Sequence, residues 1–315
     1  METHSIVAEI KSYEREWRQS ERERRRLRMA SFRRSLPRVT GLSLAGLLLI
    51  YLALALPVSW YQTRLIYWNE VPGMDWTQSA GWEVRRYVSH DKSTQLASYV
   101  HAGDPDKPTV VYLHGRGEHH GIFRYNTAPY TYSGWTVVIP EYPGFAGLAG
   151  TPSEKSIGTL MRRVHEDLVD RGTDPQDIVI HGNSLGGGPA MQLAQLPHGL
   201  LVLSAPVATM ERMMSHFAAY YPAFLLRDDW DNLDMAVTRH EAPTIVVHSA
   251  DDLVVPVEQG RDMARALSAR YIEYDDRGHA VGAMAAGIAQ DEMERAREAA
   301  RQSSMITENG SRGRT

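Results

Sequence analysis

Gly182-Asn183-Ser184-Leu185-Gly186 separates a β-like run, Ile178-Val179-Ile180, from a helix-like run that opens Gly187-Gly188-Pro189-Ala190-Met191-Gln192-Leu193-Ala194. G-x-S-x-G between a strand and a helix makes a sharp elbow that carries a nucleophile. The turn is tight enough to strain the serine backbone, and only small flanking residues avoid a clash. It lifts the Ser184 hydroxyl above the sheet edge and aims a helix N-terminus at a reacting oxyanion. The plainer alternative is a glycine-rich turn with a structural serine, and the surrounding chain decides against it.

Around the elbow, apolar β-runs alternate with helical stretches. The runs are Thr109–Leu113, Trp135–Ile139, Asp177–Ile180, Leu200–Leu203, Thr244–Val247 and Tyr271–Tyr274. Continuous apolar strands separated by helices predict an α/β fold with a mostly parallel sheet covered on both faces. Two earlier alternating segments, 82–88 and 95–100, predict a strand pair joined around Asp91-Lys92-Ser93. Ligands bind beyond the carboxyl ends of such strands. Every chemically suggestive residue falls there: His114-Gly115-Arg116-Gly117, Glu141-Tyr142-Pro143-Gly144-Phe145, Ser184, Asp251-Asp252 and His279.

A serine hydroxyl needs a base to take its proton. An imidazole suits, held in the right tautomer by a carboxylate. His279 sits in Asp275-Asp276-Arg277-Gly278-His279-Ala280, directly after the last run, and the glycine lets its ring turn inward. The acid is Asp251 or Asp252, in His248-Ser249-Ala250-Asp251-Asp252-Leu253-Val254-Val255-Pro256, ahead of a helix starting near Pro256. Asp252 is preferred, leaving Asp251 as a turn or N-cap-like residue. The oxyanion would meet two backbone amides, that of Leu185 after the nucleophile and that of Arg116 after the first parallel strand. The Arg116 side chain could also attract an anionic group. No cofactor is expected. His119, His120 and His181 lack a carboxylate at ligand spacing, so no metal site is expected either.

Cysteine is absent, which excludes disulfides, a thiol nucleophile and thiolate metal sites. The net charge of -4 hides an asymmetry: residues 1–40 carry eleven Lys/Arg against six Glu. The basic arm abuts an uncharged stretch, 39–63, so it reads as membrane topology rather than nucleic-acid binding. As a helix that stretch is about 35 Å long, enough to cross a bilayer. Trp60, Tyr61, Tyr67 and Trp68 suit the headgroup level. The arginines before it, against Arg64, Glu70, Asp75 and Glu83 after it, predict a cytoplasmic N-terminus and an extracytoplasmic domain. A small-residue cleavage site at Ala53-Leu54-Ala55 is the alternative to a retained anchor. The expected layout is a basic segment 1–38 (residues 9–28 a charged helix), a membrane helix 39–63, a catalytic domain 64–300 and a disordered tail 301–315.

Within this frame the chain resembles the α/β-hydrolase superfamily, and in it the Bem46 and ABHD12–13–17-like serine hydrolases, over residues from about 65 to 298. The resemblance rests on His114-Gly115, Tyr142-Pro143-Gly144-Phe145, Gly182–Gly186, Asp252-Leu253-Val254-Val255-Pro256, Gly278-His279 and the segment 225–233. It implies an α/β-hydrolase fold with Ser184, Asp252 and His279 as triad and the amides of Arg116 and Leu185 as oxyanion hole. It also implies esterase, thioesterase or acylglycerol/lysophospholipid lipase activity. Arg116-Gly117-Glu118 departs from the asparagine-bearing loop frequent in that group. Residues 207–240 occupy the place of a small lid. Its Met213 and Phe217, with Tyr142, are candidate substrate contacts, the alternative being ordinary helix packing. The leading expectation is a lipid-like or small ester as substrate. A depalmitoylase, a serine peptidase and a non-catalytic membrane scaffold stand behind it. The oligomeric state stays open.

Overall fold

The computed structural model describes residues 2–68, 81–88, 95–118, 120–218 and 221–312. The loop expected at Asp91-Lys92-Ser93, the acidic Glu70 and Asp75, and His119 lie outside them, as does the His120 side chain. The chain divides into two units, Met1–Val58 and Ser59–Thr315.

The first unit is helical. One helix, α1, is continuous over Glu2–Ile66, and its end from Ser59 onward belongs to the second unit. The charged helix expected over 9–28 and the apolar one over 39–63 are thus parts of a single element. Among the described residues, one stretch is long and apolar enough to cross a membrane, Gly46–Ile66, with mean hydropathy 1.4. Leu47, Leu48, Leu49 and Ile50 in it are largely exposed.

The second unit is built on an eight-stranded sheet of order β1-β2-β4-β3-β5-β6-β7-β8. Its strands are β1 Trp82–Val88, β2 Gln95–His101, β3 Thr109–Leu113, β4 Thr136–Glu141, β5 Ile178–Asn183, β6 Leu200–Ser204, β7 Thr244–Ser249 and β8 Arg270–Tyr274. β1 pairs with β2, and β2 with β4, in antiparallel fashion; the remaining pairs are parallel. Five of the six parallel strands, β3 to β7, are continuous apolar runs, because strands buried on both faces need no polar alternation; the edge strand β8 is only half-buried. All five residues of β3 and of β6 are buried.

Helices α2 (His120–Tyr132) and α8 (Gly282–Arg312) close one face, where Phe123, Tyr130, Ala285, Ala286 and Ala289 pack on Val110, Tyr112, Val179 and Val202. Helices α3 (Glu154–Asp170), α4 (Gly187–Leu193) and α7 (Val257–Ala266) bury a separate apolar set. Between β6 and β7 run two short helices, α5 (Met210–Phe217) and α6 (Asn232–Thr238). Helix α8 runs through 301–312, where the sequence reading expected a disordered tail. That stretch holds no proline, and extending an existing helix adds one hydrogen bond per residue without a new nucleus.

The end of α1 is fastened to the segment between β6 and β7. Gln62 is buried, and its amide donates to the Leu225 carbonyl at 3.0 Å and accepts from the Arg227 N–H at 2.8 Å. The next residue after the helix, Tyr67, accepts from Trp230 Nε1 at 2.8 Å. Trp230 has a left-handed backbone (φ 43°), and its ring fills the space beside Gly188, where any Cβ would meet it at 2.3 Å.

Candidate active site

The parallel register brings the suggestive residues to one edge. Asn183 pairs with Ser204, Ser204 with Val247, and Ser249 with Tyr274, so the residues following β5, β7 and β8 emerge side by side.

Ser184 follows β5 directly and opens a 3-10 turn, Ser184–Gly186, that runs into α4. Its φ is 53°, a conformation costing a non-glycine residue about 1–3 kcal/mol. The two glycines explain how it persists. A Cβ on Gly186 would lie 1.9 Å from the Leu113 carbonyl oxygen, and one on Gly182 would lie 2.6 Å from Ala190 Cβ. The elbow therefore presses against β3 on one side and α4 on the other. The Leu185 amide belongs to the first turn, whose N–H groups have no partner within a helix.

The loop after β3 abuts Ser184. A Cβ on Gly115 would come within 3.1 Å of Ser184 Cβ. The Gly115 N–H donates to Glu118 Oε1 at 3.0 Å, so the next amide, that of Arg116, is the loop's candidate oxyanion donor. Glu118 Oε1 also accepts from Asn183 Nδ2, and Oε2 accepts from the Tyr112 hydroxyl at 3.0 Å. Asn183 Oδ1 accepts from Ser204 Oγ at 2.6 Å, which in turn lies 3.0 Å from His181 Nε2. His181 Nδ1 meets the Tyr130 hydroxyl at 3.0 Å. If Ser204 donates to Asn183, His181 donates through Nε2 and accepts from Tyr130, so it is neutral; burial pushes its pKa down to about 3. Glu118 and this buried chain carry no sequence motif, and only the fold brings them together. The Arg116 guanidinium stacks over the Trp68 ring at 5.6 Å, and burial lowers its pKa.

The candidate acid and base lie on the turns after β7 and β8. His279 Nδ1 donates to Asp252 Oδ2 at 2.7 Å, which leaves Nε2 free to accept a proton. Asp252 Oδ1 accepts from the N–H groups of Val254 (2.8 Å) and Val255 (3.0 Å). The buried His248 Nε2 donates to the Val255 carbonyl at 3.0 Å and lies 3.2 Å from Asp252 Oδ2. Burial alone would raise the Asp252 pKa. The hydrogen bonds from His248, His279 and Val255 outweigh it, and the carboxyl is held well below the usual range. Asp251 is the turn residue of the two alternatives expected, a turn or an N-cap-like one. Its Oδ1 accepts from Ser249 Oγ at 2.6 Å and from the Gly278 N–H at 2.8 Å, tying the β7 turn to the loop that carries His279. Gly278 has φ 54°, consistent with its place in that loop. Helix α7 is capped at Pro256, as expected. Ser184 Oγ makes no hydrogen bond to His279, a link that in unliganded sites commonly closes only with substrate.

The three candidate substrate contacts share no common wall. Tyr142 is fully buried, stacked on His114 with ring centroids 4.1 Å apart, and donates to the His114 carbonyl at 2.8 Å. It supports the loop after β3 rather than facing a ligand, because its ring is enclosed between His114 and Phe145. Phe217 is 64% exposed. Met213 is half-buried, its Sδ accepting from Gln259 Nε2 of α7 at 3.0 Å, which is the packing alternative. Glu141 lies at the end of β4 rather than after it, 3.2 Å from His114 Nε2. Among the described residues no His/Cys/Asp/Glu group could hold a metal ion.

The chain is similar to known proteins over much of its length. Residues 110–237 match the profile described as "Alpha/beta hydrolase family". The chain is 28% identical to the lysophosphatidylserine lipase ABHD12 of Rattus norvegicus over 223 residues, 62% of this chain and 51% of that one. It is 27% identical over 231 residues to an uncharacterized protein of Mycobacterium tuberculosis, covering 69% of this chain and 80% of that one. The chain thus spans about half the length of the lipases it matches. Among solved structures, an alpha-beta hydrolase from Vibrio vulnificus superposes with TM-score 0.56 at 21% identity, covering 69% of this chain and 81% of that one. An esterase of Pyrococcus furiosus superposes with TM-score 0.55 at 16% identity, covering 73% and 94%. At these identities the structures share the fold alone.

Proposed function

We propose that this chain, whose residues 110–237 match the alpha/beta hydrolase family, is a membrane-anchored serine hydrolase that cleaves lipid-like carboxylic esters through an acyl-enzyme on Ser184. The observation that carries this reading is the 2.7 Å bond between His279 and Asp252, at the same sheet edge as the strained Ser184.

In the mechanism, Ser184 Oγ attacks the ester carbonyl as His279 Nε2 takes its proton. The negative oxygen of the tetrahedral intermediate is met by the amides of Leu185 and Arg116. His279 then gives the proton to the departing alkoxide, which leaves as the alcohol. Water, deprotonated by His279, attacks the acyl-enzyme; the carboxylic acid departs and the proton returns to Ser184. Asp252 stays ionised throughout and stabilises the imidazolium.

The similarity to a lysophosphatidylserine lipase favours an acylated glycerol derivative as substrate. The apolar stretch Gly46–Ile66 is read as a single membrane span. The arginines before it favour a cytoplasmic N-terminus and an extracytoplasmic domain. Residues 207–240 act as the small lid. The test is fluorophosphonate labelling of the full chain in membranes, with turnover of a short p-nitrophenyl ester. Ser184→Ala is expected to abolish both. Labelling or turnover that persists in Ser184→Ala refutes the mechanism.

A further inference from the structure

Gln62 marks how deep the hydrolase unit sits. It lies within the apolar stretch that ends at Ile66, one helical turn from that end, or about 6 Å by helix rise. A glutamine amide is costly at such a position unless it is satisfied. Gln62 is satisfied by backbone groups of the segment between β6 and β7: the Leu225 carbonyl at 3.0 Å and the Arg227 N–H at 2.8 Å. The Tyr221 hydroxyl donates to the same carbonyl at 3.1 Å. Wherever the end of the apolar stretch lies in a bilayer, Leu225 lies with it.

The surface around this junction is apolar and uncovered. Phe224, next to Leu225, is 83% exposed, Trp60 81% and Tyr61 53%. Leu65 is also exposed. Single exposed apolar residues need no explanation, but a group gathered on one joint does. Two of these four are Trp and Tyr, the residues favoured at the membrane–water boundary. Arg64, over the Tyr61 ring at 5.8 Å, adds a cation suited to headgroups. The junction also reaches the candidate site. Tyr67 holds Trp230, whose ring packs on Gly188 just beyond the nucleophile turn, and Trp68 lies against Gly117 and Arg116 of the candidate oxyanion loop.

We propose that Phe224 and the last turns of α1 form a lipid-bilayer docking surface, which opens the Ser184 edge toward the leaflet so that the ester enters from the lipid phase. The occupant is a bilayer because the surface is continuous with the apolar stretch itself. The inference rests on that stretch spanning the membrane.

The chain has no cysteine, so single labels are unambiguous. Phe224→Cys and Tyr132→Cys, each carrying an environment-sensitive fluorophore, are placed in the full chain in phosphatidylcholine/phosphatidylglycerol vesicles. Tyr132 is 89% exposed at the end of α2, just before the amino end of β4, and so lies at the opposite edge of the sheet. The label at 224 is expected to be quenched by spin-labelled lipid at least about threefold more strongly than the label at 132. Phe224→Asp and Trp60→Asp are each expected to lower the ratio of vesicle-lipid turnover to dispersed-ester turnover by about tenfold. Equal quenching at both positions, in protein that survives an alkaline wash of the membranes, overturns the docking surface and leaves the anchor standing. Loss of the protein in that wash overturns both. The fluorescence measurement needs no turnover, so its outcome is independent of whether Ser184 is the nucleophile.

Discussion

Ser184 and His279 reach one edge of the sheet held by different forces. Around Ser184 the constraint is steric: φ is 53°, Gly186 has no room for a methyl group against Leu113, and the Gly115 loop lies in contact. Around His279 the constraint is a set of hydrogen bonds. Asp252 grips the ring, and Asp251 grips the backbone one residue earlier. The first arrangement tolerates no added volume but does not depend on the charge of its neighbours. The second has room (the His279 side chain is 28% exposed) and depends on two ionised carboxylates. The half that carries the proposed nucleophile is packed, and the half that carries the proposed base is tethered.

The comparison can be broken from either side. The largest effect expected is on folding. Gly186→Ala puts a methyl group into the Leu113 carbonyl and should cost more than about 3 kcal/mol, measured as loss of soluble protein or a collapsed denaturation midpoint. Asp252→Asn changes no volume. It should lower the denaturation midpoint, because the hydrogen bonds that favour the ionised carboxylate are weakened, but by much less than Gly186→Ala, and lower kcat by about 10⁴-fold on the p-nitrophenyl ester. Similar folding losses in the two variants would erase the distinction. Glu118→Ala removes the acceptor for the Gly115 amide and for Asn183, freeing the loop that presents Arg116. It should lower kcat by about 10²-fold with KM nearly unchanged, and Glu118→Gln should recover most of the rate. A loss confined to KM would take Glu118 out of this role.

The smallest effect concerns pH. His181 in the packed half is neutral, with its pKa lowered from 6.5 to about 3. Below 6.5 the unfolded chain binds a proton that the folded chain refuses. Stability therefore falls with falling pH by about 1.4 kcal/mol per unit until the folded value is reached. Between pH 6.5 and 5, denaturant titration should show a loss of which His181 contributes roughly 1.6 kcal/mol; His181→Gln should remove that share and leave that of His198, whose pKa burial lowers to about 4. An equal loss in the variant would assign the pH dependence elsewhere.

The parallel strands, the elbow and the positions after them were legible because each is local: apolar runs, a five-residue pattern, a glycine beside a histidine. The preference for Asp252 over Asp251 came from the helix start near Pro256, and the 2.7 Å bond to His279 accords with it. The function of Asp251 was not legible, since its partner Gly278 is distant in sequence and meets it only through the pairing of β7 with β8. Glu118 was hidden for the same reason, with Asn183 reaching it across the sheet. Tyr142 misled because an aromatic residue after a strand looks the same in sequence whether it faces a ligand or, as here, a buried histidine. The end of α8 shows the reverse error, a polar composition read as disorder where a helix simply continues.

If Gly46–Ile66 spans a membrane, as proposed, the joint between α1 and Trp230 bears on how the protein can leave it. A protease cutting just after Tyr67 would strip the Arg227 amide and the Trp230 indole of their partners in one stroke and leave the Leu225 carbonyl with the Tyr221 hydroxyl alone. Shedding would then release a damaged domain, and a secreted form that works must carry the helix stub from Ser59 onward.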